Sequence, residues 1–352
     1  MKDKHIHIAA DSELLGLIKE KVRMELSVDS AGLKRLLWLK FVFYFSLVAL
    51  TYSMIWRTNG LYWFILAFIL YGFFAVLFAF NFAHDFSHNT VFKNRKWNNY
   101  CFIFIYTLVG AHAEAWKHRH IHSHHYAPNV EDYDSDLQIS DLIRVIPGSP
   151  HRWYHRVQHI YAPVVYTTYS LFWVFIKDFV ILFSKNEYEQ SHSFRYHVSF
   201  WLQKVVYFGY LLILPLLFSG QKWYIVVIAF IAMHLFQSLF LLFTFFMTHH
   251  VESTAYPVTD DKGYITTSWL MNQVKSSNDF YPFSKTANFI FGGFNNHVAH
   301  HLFPNIHHAC YPEISYIIYK VLCKRNIYPN QTTFWGGIRS HLRFLKRMSA
   351  PG

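Results

Sequence analysis

Charge is scarce in this chain. Only 15% of its 352 residues are Asp, Glu, Lys or Arg, well short of the roughly one quarter usual in a soluble domain. Cysteine is scarcer still. Cys101, Cys310 and Cys323 are widely spaced and odd in number, which excludes a disulfide-stapled scaffold and a thiolate metal cluster. No internal repeat, low-complexity tract or separate linker interrupts it, so 1–352 reads as a single domain. The opening 1–35 are too polar for a signal peptide and read as a cytoplasmic amphipathic tail. What is abundant is apolar surface, 53% hydrophobic and 20% aromatic, together with 24 histidines. That composition excludes disorder.

Four apolar runs, at about 36–56, 61–83, 198–219 and 223–246, are each long enough to cross a bilayer core of roughly 30 Å. The loops Arg57-Thr58-Asn59-Gly60 and Gly220-Gln221-Lys222 join them into two hairpins. Of the 32 Lys and Arg, only Arg57 and Lys222 fall in those loops. By the positive-inside rule the N-terminal tail, the central segment and the C-terminal third are cytoplasmic. The net charge of +11 is thus topological, and no nucleic-acid partner is needed to explain it. The expected class is an all-α, multi-pass integral membrane protein, with a helical cap on the cytoplasmic side. It belongs in a bacterial inner membrane, or in the endoplasmic reticulum if the source is eukaryotic. Three further segments carry expectations. Asp11 caps a helix bearing Leu14, Leu15, Ile18, Val22 and Leu26 on one face, expected to lie on the membrane surface. Tyr100 to Ala113 is too short to span and should dip into the interface. Tyr161 to Ser184 is long enough but contains Lys177 and Asp178. An interfacial helix at about 161–184 would leave both charges in water.

Histidine gathers in three clusters that this topology places on one side of the membrane. His84 and His88 stand at i and i+4, on one helical face. His120, His124 and His125 form H-x-x-x-H-H, and His297, His300 and His301 form H-x-x-H-H. An adjacent pair on a helix points about 100° apart, so one cluster can serve two metals. Eight imidazoles exceed the needs of one tetrahedral zinc. They suit Zn, Cu, Fe and Ni by ligand type. A carboxylate-bridged di-iron bundle needs paired Glu-x-x-His motifs, and none occurs at these clusters. A histidine-rich di-iron centre that activates O2 is what remains.

The chain resembles the membrane fatty acid desaturases, most of all the bacterial linoleoyl-CoA desaturase-like, front-end group. The resemblance runs from about Leu61 to Arg347 and rests on several stretches. The first are His84-Asp85 with His88, Trp116-Lys117 before His120, and His124-His125 with Pro128-Asn129. Next come His249-His250-Val251-Glu252, Ser268-Trp269 with Gln273, and Gly292-Gly293-Phe294-Asn295. Last is His300-His301-Leu302-Phe303-Pro304-Asn305, then His307 and Tyr311-Pro312. It implies two irons, O2 as co-substrate, and insertion of a double bond into a lipid acyl chain carried by coenzyme A, acyl carrier protein or a glycerolipid. It also implies a ninth ligand beyond the fourth span, His249, with His250 as its rival. The asparagine found one turn earlier in relatives is replaced here by Phe245 and Phe246. The family pattern leaves His118 and His122 solvent-facing or behind the ligands. The third cluster begins with His297 and has Ala299 before the paired histidines, as in methyl-end desaturases, which leaves the bond position open.

Metal-bound imidazoles normally donate their other N–H to a carboxylate or carbonyl. Asp85, Glu131, Asp132, Asp134 and Asp136 are candidates to accept, with a solvated acidic loop as the alternative for the run after the second cluster, and His112, His307 and His308 are open in the same way. Two external electrons are required per turnover. No His-Pro haem motif occurs, so the resemblance implies a separate ferredoxin or small cytochrome as donor. A fatty acyl hydroxylase or acetylenase would use the same centre. A histidine-rich metal-binding or transport protein would instead line its spans with ionisable groups, whereas His234 is the one histidine inside an expected span.

Overall fold

Four helices are long and apolar enough to cross a membrane: Ala31–Arg57, Leu61–Ser87, Phe194–Phe218 and Trp223–His249. The structure, a computed structural model, describes residues 4–26, 31–58, 60–137, 141–185 and 191–351. Asn59, in the first hairpin loop, lies outside the described residues. The second and fourth helices run a turn beyond their apolar stretches, and so carry His84 and His249 near their ends. Sheet is confined, among the described residues, to one parallel pair, Asn278–Phe280 with Asn330–Thr332.

The chain divides into two compact units. One comprises Arg35–Lys117 and Pro163–Leu242 and holds most of the span residues. Its core is aromatic. Phe41 of the first span meets Phe78, Phe82 and Phe86 at ring-centre distances of 5.2, 5.0 and 6.3 Å. Phe73 of the second span meets Phe240 of the fourth at 5.0 Å. Edge-on aromatic pairs of this kind add to simple burial.

Arg95–Val109, the short apolar helix, ends among the spans at Gly110, whose φ is +79°. A Cβ there would sit 2.6 Å from the Tyr207 ring, so only glycine fits the turn. Its last carbonyls need donors that lipid lacks. Leu108 O accepts from the hydroxyls of Tyr71 (3.2 Å) and Tyr210 (2.7 Å), and Gly110 O accepts from Lys204 Nζ (2.8 Å).

The segment expected to be an interfacial helix is broken at Thr168, where Trp153–Thr167 and Tyr169–Phe183 meet at a bend of 62°. Asp178 does not lie in water as expected. It is buried, accepts from Lys204 Nζ at 2.7 Å, and also takes the Trp173 indole N–H and the His112 amide. The two charges neutralise one another, which neither segment shows when its sequence is read alone. His234 is also satisfied inside the bundle, between Ser170 Oγ (2.7 Å) and the Tyr207 hydroxyl (2.9 Å).

The second unit comprises Met1–Lys34, His118–Ala162 and Phe243–Gly352. The N-terminal helix, Ala9–Glu25, is part of it; its N-cap is Ile8, so Asp11 lies in the first turn and does not cap it as expected. Its apolar face is not spread on a membrane, as expected, but covered by protein. Leu14, Ile18 and Val22 are buried with Leu270, Val274, Ile314 and Ile318. Asp11 accepts from Ser268 Oγ at 2.5 Å, pinning the helix start to the Trp269–Lys275 helix.

Removing one partner of a buried ion pair leaves an uncompensated charge, at a cost of roughly 3–5 kcal/mol. Lys204→Met should therefore lower the thermal unfolding temperature in detergent markedly. The double variant Lys204→Met/Asp178→Leu should recover part of the loss. A double variant no more stable than the single one would show that the pair's charges are not the cause.

Candidate metal centre

The second histidine cluster is shaped by a change of helical winding. Ala113–His118 is α-helical, but Arg119–His124 is a π-turn, and the His125 amide donates to His120 O at 3.1 Å. Wider winding pairs residue i with i+5. His120 and His125 therefore face one another, Nε2 to Nε2 at 3.1 Å. His124 is released to the other side. In the third cluster the helix His297–Leu302 keeps α winding, so His297 and His301 share a face, with Nε2 atoms 3.2 Å apart. The chain enters that helix through Gly293 at φ +90°, where a Cβ would lie 2.7 Å from Tyr311 and 2.8 Å from His308.

The result is two imidazole groups in one unit. His124, His249, His297 and His301 present nitrogens all within 4.8 Å of one another, and so do His120, His125 and His300. All seven are buried. Each adjacent pair, His124-His125 and His300-His301, is divided between the groups. His84 and His88 belong to the other unit, where their ring centres lie 5.1 Å apart. His250 is turned away from both groups. Its Nδ1 meets the Tyr256 hydroxyl at 2.6 Å, and its carbonyl accepts from His341 Nδ1. Burial, with His341 and then His124 nearby, pushes the His250 imidazole down to about 3, so it stays neutral.

The outer nitrogens define what the inner ones can do. His249 Nδ1–H donates to Ser276 O (2.9 Å), His124 Nδ1–H to Asp134 Oδ2 (3.0 Å), and His301 Nδ1–H to Gln273 Oε1 (2.8 Å). A neutral imidazole that donates from Nδ1 offers a lone pair at Nε2. The Nε2 atoms of His249 and His301 lie 2.6 and 3.2 Å from that of His297. A proton on His297 serves one of these acceptors at most. A metal cation serves them all, so this donor set fits a metal. Neutral nitrogen ligands with no thiolate suit iron, copper or zinc.

Asp134 reaches a cluster imidazole, that of His124. Burial by itself lowers His124, but Asp134 and then Asp136 outweigh it, and the ring is raised above its ordinary value. A more basic ring is a stronger donor. Asp132 instead accepts from Thr259, and Asp136 lies 3.6 Å from Arg119. His118 and His122 are exposed neighbours, with ring centres 5.0 Å apart, outside both groups. His112 packs edge-on against Tyr196 and Phe200. His307 lies 3.8 Å from Cys310 Sγ, and the His308 carbonyl accepts from Asn288. Two contributors escaped the sequence reading. The Ser276 carbonyl gave no signal in side-chain chemistry. Asp279 lies remote in sequence from every cluster, yet its carboxylate takes the Val298 amide (2.9 Å) and the Tyr319 hydroxyl (3.0 Å), holding the start of the third cluster's helix.

A membrane-embedded helical protein with two buried all-imidazole groups belongs to a narrow class, and sequence comparison defines which. Residues 60–333 match the fatty acid desaturase family, and the chain belongs to that family of lipid-modifying oxidoreductases. It is 31% identical over 286 residues to an acyl-lipid (8-3)-desaturase of Physcomitrium patens, covering 79% of this chain and 58% of the moss protein. It is 28% identical over 289 residues to an sn-1 linoleoyl-lipid 6-desaturase of Arthrospira platensis, covering 80% of this chain and 77% of the relative. Acyl-lipid (8-3)-desaturase B of Dictyostelium discoideum is 29% identical over 367 residues, covering 98% of this chain and 77% of its own.

Burial raises the Asp279 carboxyl from its ordinary 3.8 to about 7, against the lowering effect of its three hydrogen bonds. A carboxyl held above its unfolded value binds its proton more tightly in the folded state. Its contribution is therefore complete below pH 3.8 and is lost as pH rises through about 7. Compared with Asp279→Asn in unfolding melts, the parent chain should lose relative stability between about pH 4 and 7 and level off above. Parallel curves across that window would refute the assignment.

Proposed function

We propose that the chain is a front-end acyl-lipid desaturase, which inserts a double bond between an existing one and the carboxyl end of a lipid acyl chain. The observation that carries the reading is the pair of buried imidazole groups, in one of which the outer nitrogens of His124, His249 and His301 are tied to Asp134, Ser276 and Gln273. We assign nine ligands: His84, His88, His120, His124, His125, His249, His297, His300 and His301. The motif positions support His84 and His88. Iron held at these positions would supply O2-dependent removal of hydrogen from unactivated methylenes, which side-chain acid–base chemistry does not achieve. The chain's own residues fix the tautomers of His124, His249 and His301 and bury the two groups.

The front-end position is supported by the names of the relatives, which are 6- and (8-3)-desaturases. Ser268-Trp269 and the Gly292-Gly293-Phe294-Asn295 approach agree with it. His297 replaces the glutamine usual in that group. Its Nε2 lies 2.6 Å from that of His249, inside the four-imidazole group. Electrons come from a separate carrier, a ferredoxin or small cytochrome. The protein is multi-pass, with its iron on the cytoplasmic side.

Alanine at any of the nine ligand positions should remove iron and product together, while His118→Ala and His122→Ala stay close to the parent. The readouts are elemental analysis and lipid mass spectrometry of a host that also expresses a redox partner. Mass spectrometry reports bond position too, and a hydroxylated or acetylenic product would replace this reading with the corresponding one.

The positive-inside pattern gives a second test. In a cysteine-free background, single cysteines at Gly60 and Lys222 should react with an impermeant thiol reagent from outside, while those at Asp141 and Thr266 should be protected. Opposite accessibility of Asp141 and Thr266 would separate the histidine clusters by a membrane, and the shared iron site would have to be abandoned.

A further inference from the structure

We infer that Asn129 is a positioning residue for one half of the metal centre, acting on His124 and His249 together; the inference rests on the metal reading above. Asn129 is buried and stands at φ +61°, in the left-handed region where asparagine is tolerated. That backbone turn aims its amide N–H at Asp134 Oδ2 (3.0 Å), the same oxygen that takes His124 Nδ1–H. Its side-chain Nδ2 reaches three carbonyls, His249 O (2.9 Å), Ala255 O (3.0 Å) and Ser276 O (3.4 Å). Ser276 O is in turn the acceptor of His249 Nδ1–H. One residue therefore holds the backbone of His249, the acceptor that fixes its ring, and the carboxylate that fixes the ring of His124. Those two rings lie 4.5 Å apart in the four-imidazole group.

The chemistry admits few substitutes. Two N–H donors on a short neutral stem are required, at a position where most side chains are strained. Aspartate would set a carboxylate against three carbonyl oxygens. Glycine keeps the turn and the backbone N–H but removes the amide. The other members of the group have separate supports, since His301 is held by Gln273 and the start of the His297–Leu302 helix by Asp279. His120, His125 and His300 form the other group. Loss of the Asn129 amide should thus loosen one metal position and spare the other.

The test uses the purified full chain in detergent, loaded with ferrous iron alone, comparing the parent with Asn129→Gly and Asn288→Ala. Asn288 Nδ2 donates to His308 O at 3.1 Å in the same unit, so its loss is a matched structural control. Outer-shell partners are typically worth about 10–100-fold in metal affinity. Asn129→Gly should retain about half the parent's iron, with the lost half released to a chelator roughly 10–100-fold faster. Asn288→Ala should keep the parent's iron content even if its melting temperature falls. Asn129→Gly with full iron and the parent release rate would overturn the inference, as would equal iron loss in both variants. A parent chain that binds no iron would overturn the metal reading itself, and this inference with it.

Discussion

Lone pairs that face one another repel, and the four-imidazole group sets the Nε2 atoms of His249 and His301 within hydrogen-bond distance of that of His297. What keeps His124, His249 and His301 there is the set of bonds made on their far sides. Each Nδ1 anchor fixes both the ring's rotation and its tautomer, because carbonyl and carboxylate oxygens only accept. The acceptors differ in strength. Asp134 raises His124 above its ordinary value, while Ser276 and Gln273 offer neutral oxygens to His249 and His301. Ligand strength is therefore graded around the group by residues that never touch the metal position.

Irregular backbone is the cost of bringing ligands from three separated stretches into one buried place. Its carbonyls find donors in asparagine amides. Asn272 serves Pro128 O, Asn278 serves Met247 O, and Asn330 serves Lys275 O and Ser277 O. Asn296 reaches Pro282 O and the Ser315 hydroxyl. An unsatisfied buried carbonyl costs about 1–3 kcal/mol, so these neutral amides do for the histidine unit what helical hydrogen bonds do for the spans.

Much of this was readable from the chain. The spans announce themselves by length and hydropathy, and the ligand clusters by spacing and side-chain type. The winding of the second cluster was not readable. Spacing alone pairs His120 with His124, and the π-turn pairs it with His125 instead. Nor did the acidic run after that cluster reveal which carboxylate turns inward, since Asp134 and Asp136 differ by two positions and only tertiary packing separates their partners. The N-terminal helix was recognisable as amphipathic, but the spacing of its apolar residues is the same whether lipid or protein covers that face. Asp178 was visible as a charge in an apolar run, and its union with Lys204 depends on a fold that sequence distance conceals.

The same distance has a bearing on how the protein is made. Leu108 and Gly110 offer bare carbonyls at the tip of a short helix, and the groups that satisfy them, Tyr210 and Lys204, follow 102 and 94 residues later. At a synthesis rate of about 5–20 residues per second, that is an interval of roughly 5–20 s. Among the described residues, Tyr71 of the first hairpin is the donor already made by then, and it serves Leu108 O. The tip cannot rest in lipid in that condition. It must wait at the aqueous boundary, or in the insertion machinery, until the third span arrives. Biogenesis of the bundle is thereby ordered, with the first hairpin a scaffold that stays incomplete until the second is threaded beside it.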